Sequence, residues 1–270
     1  MGNVSLSALL QKYRFYLLAG VAYITLALIV IHAFPINITS SDVPVDVRQA
    51  EAYLSKGINP YGQNYTIDAR TNPYNESQNH IAIVQFLQYP PMMILYYFPF
   101  YVLGDVRYGN LVADMVIYGL IVMYFSEKSF ERKFAFVFLG NGLNFVVNYY
   151  YGGNDIIAGL FVAISIYLLN KKEKLSAVGY GLSLVTKQLA LLALPYFVVK
   201  AREKIVYVLL AAITGVLVAL PFFPEVIYNV VFRIFYSRIP LISYLLIFYP
   251  LIFIPLVERY ASRLKVALAR

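Results

Sequence analysis

The chain has 270 residues, of which 60% are hydrophobic and only 13% charged, with a mean hydropathy of +0.66; it is too apolar for an ordinary soluble domain and reads as one membrane domain, 1–270. The absence of cysteine excludes disulfides, thiolate metal sites and cysteine nucleophiles, and two histidines, His32 and His80, leave little for a zinc or iron centre. A net charge of +8 does not imply nucleic acid here, because the basic residues fall in short clusters between apolar runs, as topology signals do.

In chain order, the first apolar run, Phe15 to Phe34, is about the length that crosses a hydrocarbon core of ~30 Å. No small-residue cleavage site follows it, so it reads as an uncleaved first span, 14–34. A long polar segment, Asn37 to Tyr89, comes next, with Asn-x-Ser/Thr sequons at Asn37, Asn64 and Asn75 that are compatible with an outward placement. Tyr89-Pro90-Pro91 then opens a segment to Leu103, rich in Met, Tyr and Phe. Two prolines at its entry and Pro99 within it argue against a straight span, so it is expected to lie as an interfacial helix on the outer face. The external loop thus runs 35–106.

Further spans are expected at 107–125, 134–150, 155–170, 205–222 and 240–257. Lys12/Arg14, Lys128/Arg132/Lys133, Lys171/Lys172/Lys174, Lys200/Arg202/Lys204 and Arg259/Arg263/Lys265/Arg270 hold 15 of the 22 basic residues. All five clusters face the cytoplasm only if 175–199 is a short helical hairpin turning near Lys187; as a single span it would leave that lysine in hydrocarbon, at ~2.5–3.5 kcal/mol. The fold class is therefore all-α, a polytopic bundle of about eight spans in the cell membrane with both termini cytoplasmic. The outer face gathers the first loop, the Tyr149 to Asp155 turn, the Lys187 tip and the Phe223 to Ile239 loop. It carries the carboxylates Asp42, Asp46, Glu51, Asp155 and Glu225 and the cations Lys187, Arg233 and Arg238. Asp114, inside the second span, is an ionisable group where such groups are expensive.

The stretch from Asp42 through Asp46 and Glu51 to Gly57-Ile58-Asn59-Pro60-Tyr61 resembles the first external loop of the GT-C superfamily of membrane glycosyltransferases that use polyprenyl-phosphate sugars. Tyr89-Pro90-Pro91, Gly153-Asn154-Asp155 and Gly181-x4-Thr186-Lys187-Gln188 followed by Pro195 stand in the same order as in that family. The resemblance covers roughly residues 10–200. It implies a GT-C-like fold and inverting transfer of a hexose from a polyprenyl-phosphate sugar to a glycan or lipid acceptor on the outer face. It also implies Asp42 as the catalytic base with Asp46 in reserve, Lys187 with Arg233 or Arg238 on the donor phosphate, and Asp155, Asn154 and Glu51 on the acceptor side. No cofactor is required, although carboxylates and water alone suffice to hold magnesium or manganese. The family commonly carries ten or more spans. A shorter chain is compatible with a compact member, a non-catalytic subunit or a relative that has lost activity; a lipid-linked substrate transporter or flippase is the other class, and it predicts related halves that are not evident.

Overall fold

The computed structural model describes residues 6–36, 42–68, 81–84, 87, 89–124 and 133–227. The expected span 240–257, Arg233, Arg238, His80 and the sequons at Asn37 and Asn75 lie outside the described residues.

The chain is mostly helical. Helix α1 (Leu6–Ala33) contains an apolar stretch, Tyr13–Ala33, long enough to cross a membrane, and presents Phe15, Leu18, Val21 and Ile29 outward. Helix α2 (Asp42–Leu54) follows. Pro44 falls in its first turn, where the missing N–H has no intrahelical partner to lose, so it does not break the helix. A two-stranded antiparallel ribbon, β1 (Tyr65–Asp68) with β2 (Ile81–Val84), adds to the helices a small strand element that the sequence reading did not foresee; Tyr65 pairs with Val84 and Asp68 with Ile81.

Helix α3 (Pro91–Val102) meets α4 (Arg107–Tyr124) at 110°, so the two do not form one straight rod. The expected span 134–150 is not one continuous helix: it divides into α5 (Lys133–Leu139), a one-turn α6 (Gly142–Phe145) and a wide π turn over Val146–Tyr150. The break is at Gly140-Asn141, where Asn141 Oδ1 accepts the Asn144 N–H at 3.3 Å and starts a new helical turn. A bend of 120° then leads into α7 (Asp155–Leu169).

Helix α8 (Glu173–Leu184) ends before Lys187. A 3-10 turn over Gln188–Ala193 and α9 (Leu194–Lys200) form the second arm of the 175–199 segment. Helix α10 (Lys204–Ala219), extended by a 3-10 turn to Phe222, is the second element long and apolar enough to span. By length and apolarity the described residues hold two such helices, or up to four if each bent pair counts as one, rather than the eight expected for the whole chain.

Helices α4, α7, α8 and α10 pack side by side in series. The α8–α10 approach depends on Gly181, where a Cβ would stand 2.5 Å from the Ala211 carbonyl oxygen. One core joins Val47 and Ala50 of α2 and the tyrosines Tyr61 and Tyr65 to Met93 and Ile94 of α3, Ile157 of α7 and Phe222. The loop after α1 is thus a folded layer resting on the helix ends. A second core stacks Tyr180, Phe197 and Tyr207, with ring centroids 4.5 Å apart for the first two; a third packs Tyr23, Ala27 and Ile31 of α1 against Leu111 and Tyr149.

Candidate active site

Six contacts draw distant segments to one end of the bundle. Gly152, at φ +71°, has the left-handed backbone that favours glycine, and a Cβ there would meet Pro44 Cγ at 2.8 Å; the first turn of α2 therefore sits directly on the Gly152-Gly153-Asn154-Asp155 turn. The Lys187 ammonium donates to Asn154 Oδ1 at 3.2 Å and pairs with the Asp155 carboxylate. Met92 N–H donates to the Val185 carbonyl at 2.9 Å, tying the Tyr89-Pro90-Pro91 entry to the segment before Lys187. Tyr61 O–H donates to the Tyr89 carbonyl at 2.6 Å, and Asn59 Nδ2 donates to Glu225 Oε2 at 3.0 Å. The four motifs of the sequence, hundreds of ångströms of extended chain apart at the extremes, meet here.

Each expected site residue has a distinct place. Asp42 opens α2. Asp46, one turn on, is buried, and it lies with Glu51 near Tyr65; burial first, then the Asp46, Tyr53 and Glu51 groups beside it, push the Tyr65 hydroxyl up from its ordinary range. Glu51, expected on the acceptor side, is 0% exposed and has no hydrogen-bond partner for either carboxylate oxygen. Burial pushes its carboxyl up to about 9, so it is protonated at neutral pH. Asp155 occupies the first position of α7 and is largely exposed, whereas the N-cap is Asn154. Asn154 is 1% exposed and its side chain makes no capping bond; its oxygen is taken by Lys187, and its Nδ2 has no partner. A buried donor left in that state costs ~1–3 kcal/mol. Among the described residues no group of three or more histidine or acidic side chains gathers in a way that would hold a metal ion.

A buried polar stripe lies on α4, where the sequence singles out Asp114 but not Arg107 or Asn110. Arg107, 1% exposed, pairs with Asp105 at 2.6 Å and donates to the carbonyls of Ile31 and Phe34 at 2.7 Å and of Tyr149 at 2.8 Å. One guanidinium thus caps the end of α1 and holds the π turn. Asn110 donates through Nδ2 to the carbonyls of Asn148 and Gly153, both at 2.8 Å, and accepts from Tyr97 O–H at 2.5 Å. Asp114, 0% exposed, accepts from Tyr23 O–H at 2.8 Å, Tyr149 O–H at 2.5 Å, Asn148 Nδ2 at 3.2 Å and Asn144 Nδ2 at 3.4 Å. Positions 107, 110 and 114 fall on one face of α4, and a polar stripe at that spacing on an otherwise apolar helix is the signal that would have found them. Their joint product is the position of the turn that carries Asn154 and Asp155.

An apolar groove of about 500 Å³ between α1 and α4, lined by Tyr16, Gly20, Ile24, Met115 and Tyr118, lies toward the opposite end of those helices. A smaller hollow of about 340 Å³ beside α2 is lined by Arg48, Gln49, Thr66 and Tyr101.

A family model described as glycosyltransferase family 87 matches residues 86–237. No curated protein and no solved structure matches the chain. The matched segment contains Tyr89-Pro90-Pro91, the α4 stripe, Asn154, Asp155 and Lys187, and begins after α2. It covers more than half of the chain, which, with its apolar helices, is a membrane glycosyltransferase of the GT-C type and belongs to glycosyltransferase family 87.

Proposed function

We propose that the chain transfers a hexose, with inversion, from a polyprenyl-phosphate sugar to a hydroxyl of a glycan or lipid acceptor at the outer face of the cell membrane. The observation that carries this reading is the seating of the first turn of α2 on Gly152, which brings the Asp42 end of α2 to the turn whose Asn154 and Asp155 hold Lys187. In a single displacement, the acceptor oxygen bonds to the anomeric carbon while the bond from that carbon to the phosphate oxygen breaks. A carboxylate takes the acceptor proton as general base. The leaving polyprenyl phosphate gains negative charge, which a fixed cation stabilises.

In this scheme Asp42 is the base, with Asp46 the reserve, and Lys187 faces the leaving phosphate, helped by Arg233 or Arg238. Asp155 belongs to the same site through its pairing with Lys187. The buried, neutral Glu51 is unsuited to a direct acceptor contact and supports the α2 layer instead; the hollow beside Arg48 and Gln49 is the better acceptor candidate. The helix ends that meet at Arg107 form the outer end, α3 lies along the surface beneath the first loop, and both termini are cytoplasmic.

Transfer from synthetic polyprenyl-phosphate hexoses by the purified full chain tests this. Asp42→Asn is expected to lower kcat by about 10²–10⁴-fold while leaving the melting temperature unchanged. Full activity in both Asp42→Asn and Asp46→Asn would remove the assigned base. No transfer from any such donor would favour a non-catalytic subunit or a flippase.

A further inference from the structure

We propose that the N-terminus of α7, with the Asn154 amide and the Lys187 ammonium, is a phosphoryl-binding site in which the Asp155 carboxylate is the resident anion that a substrate phosphoryl group displaces. The inference rests on the donor reading above and assigns Asn154, expected on the acceptor side, to the phosphate instead.

Asparagine at an N-cap normally turns its side-chain oxygen onto the N–H groups of its own helix. Asn154 does not: it makes no capping bond, and its oxygen accepts from Lys187 at 3.2 Å. An ammonium carries only donors, so the amide must direct its oxygen at Lys187, and this fixes its NH2 on the other side. That NH2 is buried and has no acceptor. Because the cap bond is missing, the Asn154 side chain accepts nothing from the first turn of this 15-residue helix, where Ile157 N–H turns to the Asn154 carbonyl at 3.3 Å, and the helix dipole adds partial positive charge at the same place. Three kinds of donor therefore stand at this helix end: an amide, an ammonium and helix N–H groups. A phosphoryl group, with several acceptor oxygens and net negative charge, matches that set.

The same geometry explains Asp155. It is the acidic residue in the first turn of α7, largely exposed, and its carboxylate neutralises Lys187. A carboxylate presents two oxygens and a single charge, and an exposed side chain swings to water at little cost. A phosphoryl group arriving on Lys187 takes that position and reaches the Asn154 NH2 behind it.

Binding of a C55 polyprenyl monophosphate, the matching polyprenol and inorganic phosphate to the full chain in detergent micelles tests the site. The native chain is expected to prefer the phosphate lipid to the alcohol, and millimolar inorganic phosphate is expected to compete with it. Asn154→Leu should weaken the phosphate lipid about ten-fold without altering polyprenol binding. Asn154→Asp, which keeps the oxygen toward Lys187 and replaces the NH2, should weaken it further and serves if the leucine variant does not fold. Asp155→Asn should tighten it several-fold. Unchanged affinity in both Asn154 variants, weaker binding in Asp155→Asn, or equal affinity for polyprenol overturns the site. If native-chain transfer persists with any of these results, the site fails alone; if the native chain neither binds the phosphate lipid nor transfers from its sugar ester, the donor reading fails with it.

Discussion

Two polar clusters lie a few turns apart in this molecule, and they differ less in burial than in satisfaction. On α4, every nitrogen of the Arg107 guanidinium has a partner, the Asn110 side chain makes three bonds, and Asp114 accepts four. At the layer above, Asn154 keeps an unused NH2, Glu51 two unused oxygens, and Lys187 holds an exposed carboxylate. Complete satisfaction rigidifies, as expected of a scaffold, whereas a buried donor left open still has a bond to make. In the function proposed above, the first cluster builds the frame, and Asn154 and Lys187 of the second face the substrate.

The largest effect is expected at Arg107. Arg107→Ala removes the donors to Ile31, Phe34 and Tyr149 and leaves Asp105 without its cation, so a loss of about 3–5 kcal/mol is expected. The variant should be recovered poorly from membranes and melt far below the native chain. Arg107→Lys should rescue little, since one ammonium cannot reproduce the fork that spans two helix ends. A variant as stable as the native chain would show that α4 does not frame the site.

Asn110 gives a smaller and more local effect. Asn110→Leu strands the carbonyls of Asn148 and Gly153 and the Tyr97 hydroxyl, for an expected loss of about 1–3 kcal/mol. Because Gly153 precedes Asn154, the loss should fall on kcat of transfer more than on overall stability, at about ten-fold or more. A normal kcat in a chain destabilised by that amount would separate the frame from the turn it is argued to hold.

Much of this arrangement was legible in the sequence, and the exceptions share a cause. The first span was read at 14–34 and the apolar stretch is Tyr13–Ala33; the span read at 205–222 corresponds to Lys204–Phe222. Apolar runs of bilayer length report themselves. The motif order also brought Asp42, Asp155 and Lys187 to the same end, since charge clusters constrain which helix ends face together. The break at Gly140-Asn141 has a sequence signal in Gly140-Asn141-Gly142, but the apolar residues on both sides outweigh it when the run is read by length alone, and the local Asn141 bond decides the matter. The roles of Arg107 and Asn110 are hidden for a similar reason: most of their partners are backbone carbonyls, which leave no mark on composition. The burial of Glu51 is not legible because composition shows only a polar segment there, whereas Val47, Ala50, Tyr61 and Tyr65 make it a packed layer.

Glu51 gives the smallest effect and the sharpest sign. Its folded pKa stands at about 9, raised by burial, against an ordinary value of 4.5. The folded state therefore binds the proton more tightly than the unfolded state, and stability falls as pH rises between those two values. Below 4.5 the carboxyl is neutral in both states and carries no such cost; above 9 it is ionised in both and the cost is complete. Glu51→Met keeps the volume of the side chain and removes both unpartnered oxygens, so it should stabilise the chain by about 1–3 kcal/mol near pH 8 and by less near pH 5. Melting curves of the two proteins across that range measure the difference directly. A gain that grows with pH, with transfer retained, places Glu51 in the support of α2, because a group that only packs can be replaced by one of its shape. Loss of transfer in a chain made more stable would instead move this carboxyl from the frame into the site, since nothing but chemistry would then account for keeping an acid where burial resists its ionisation.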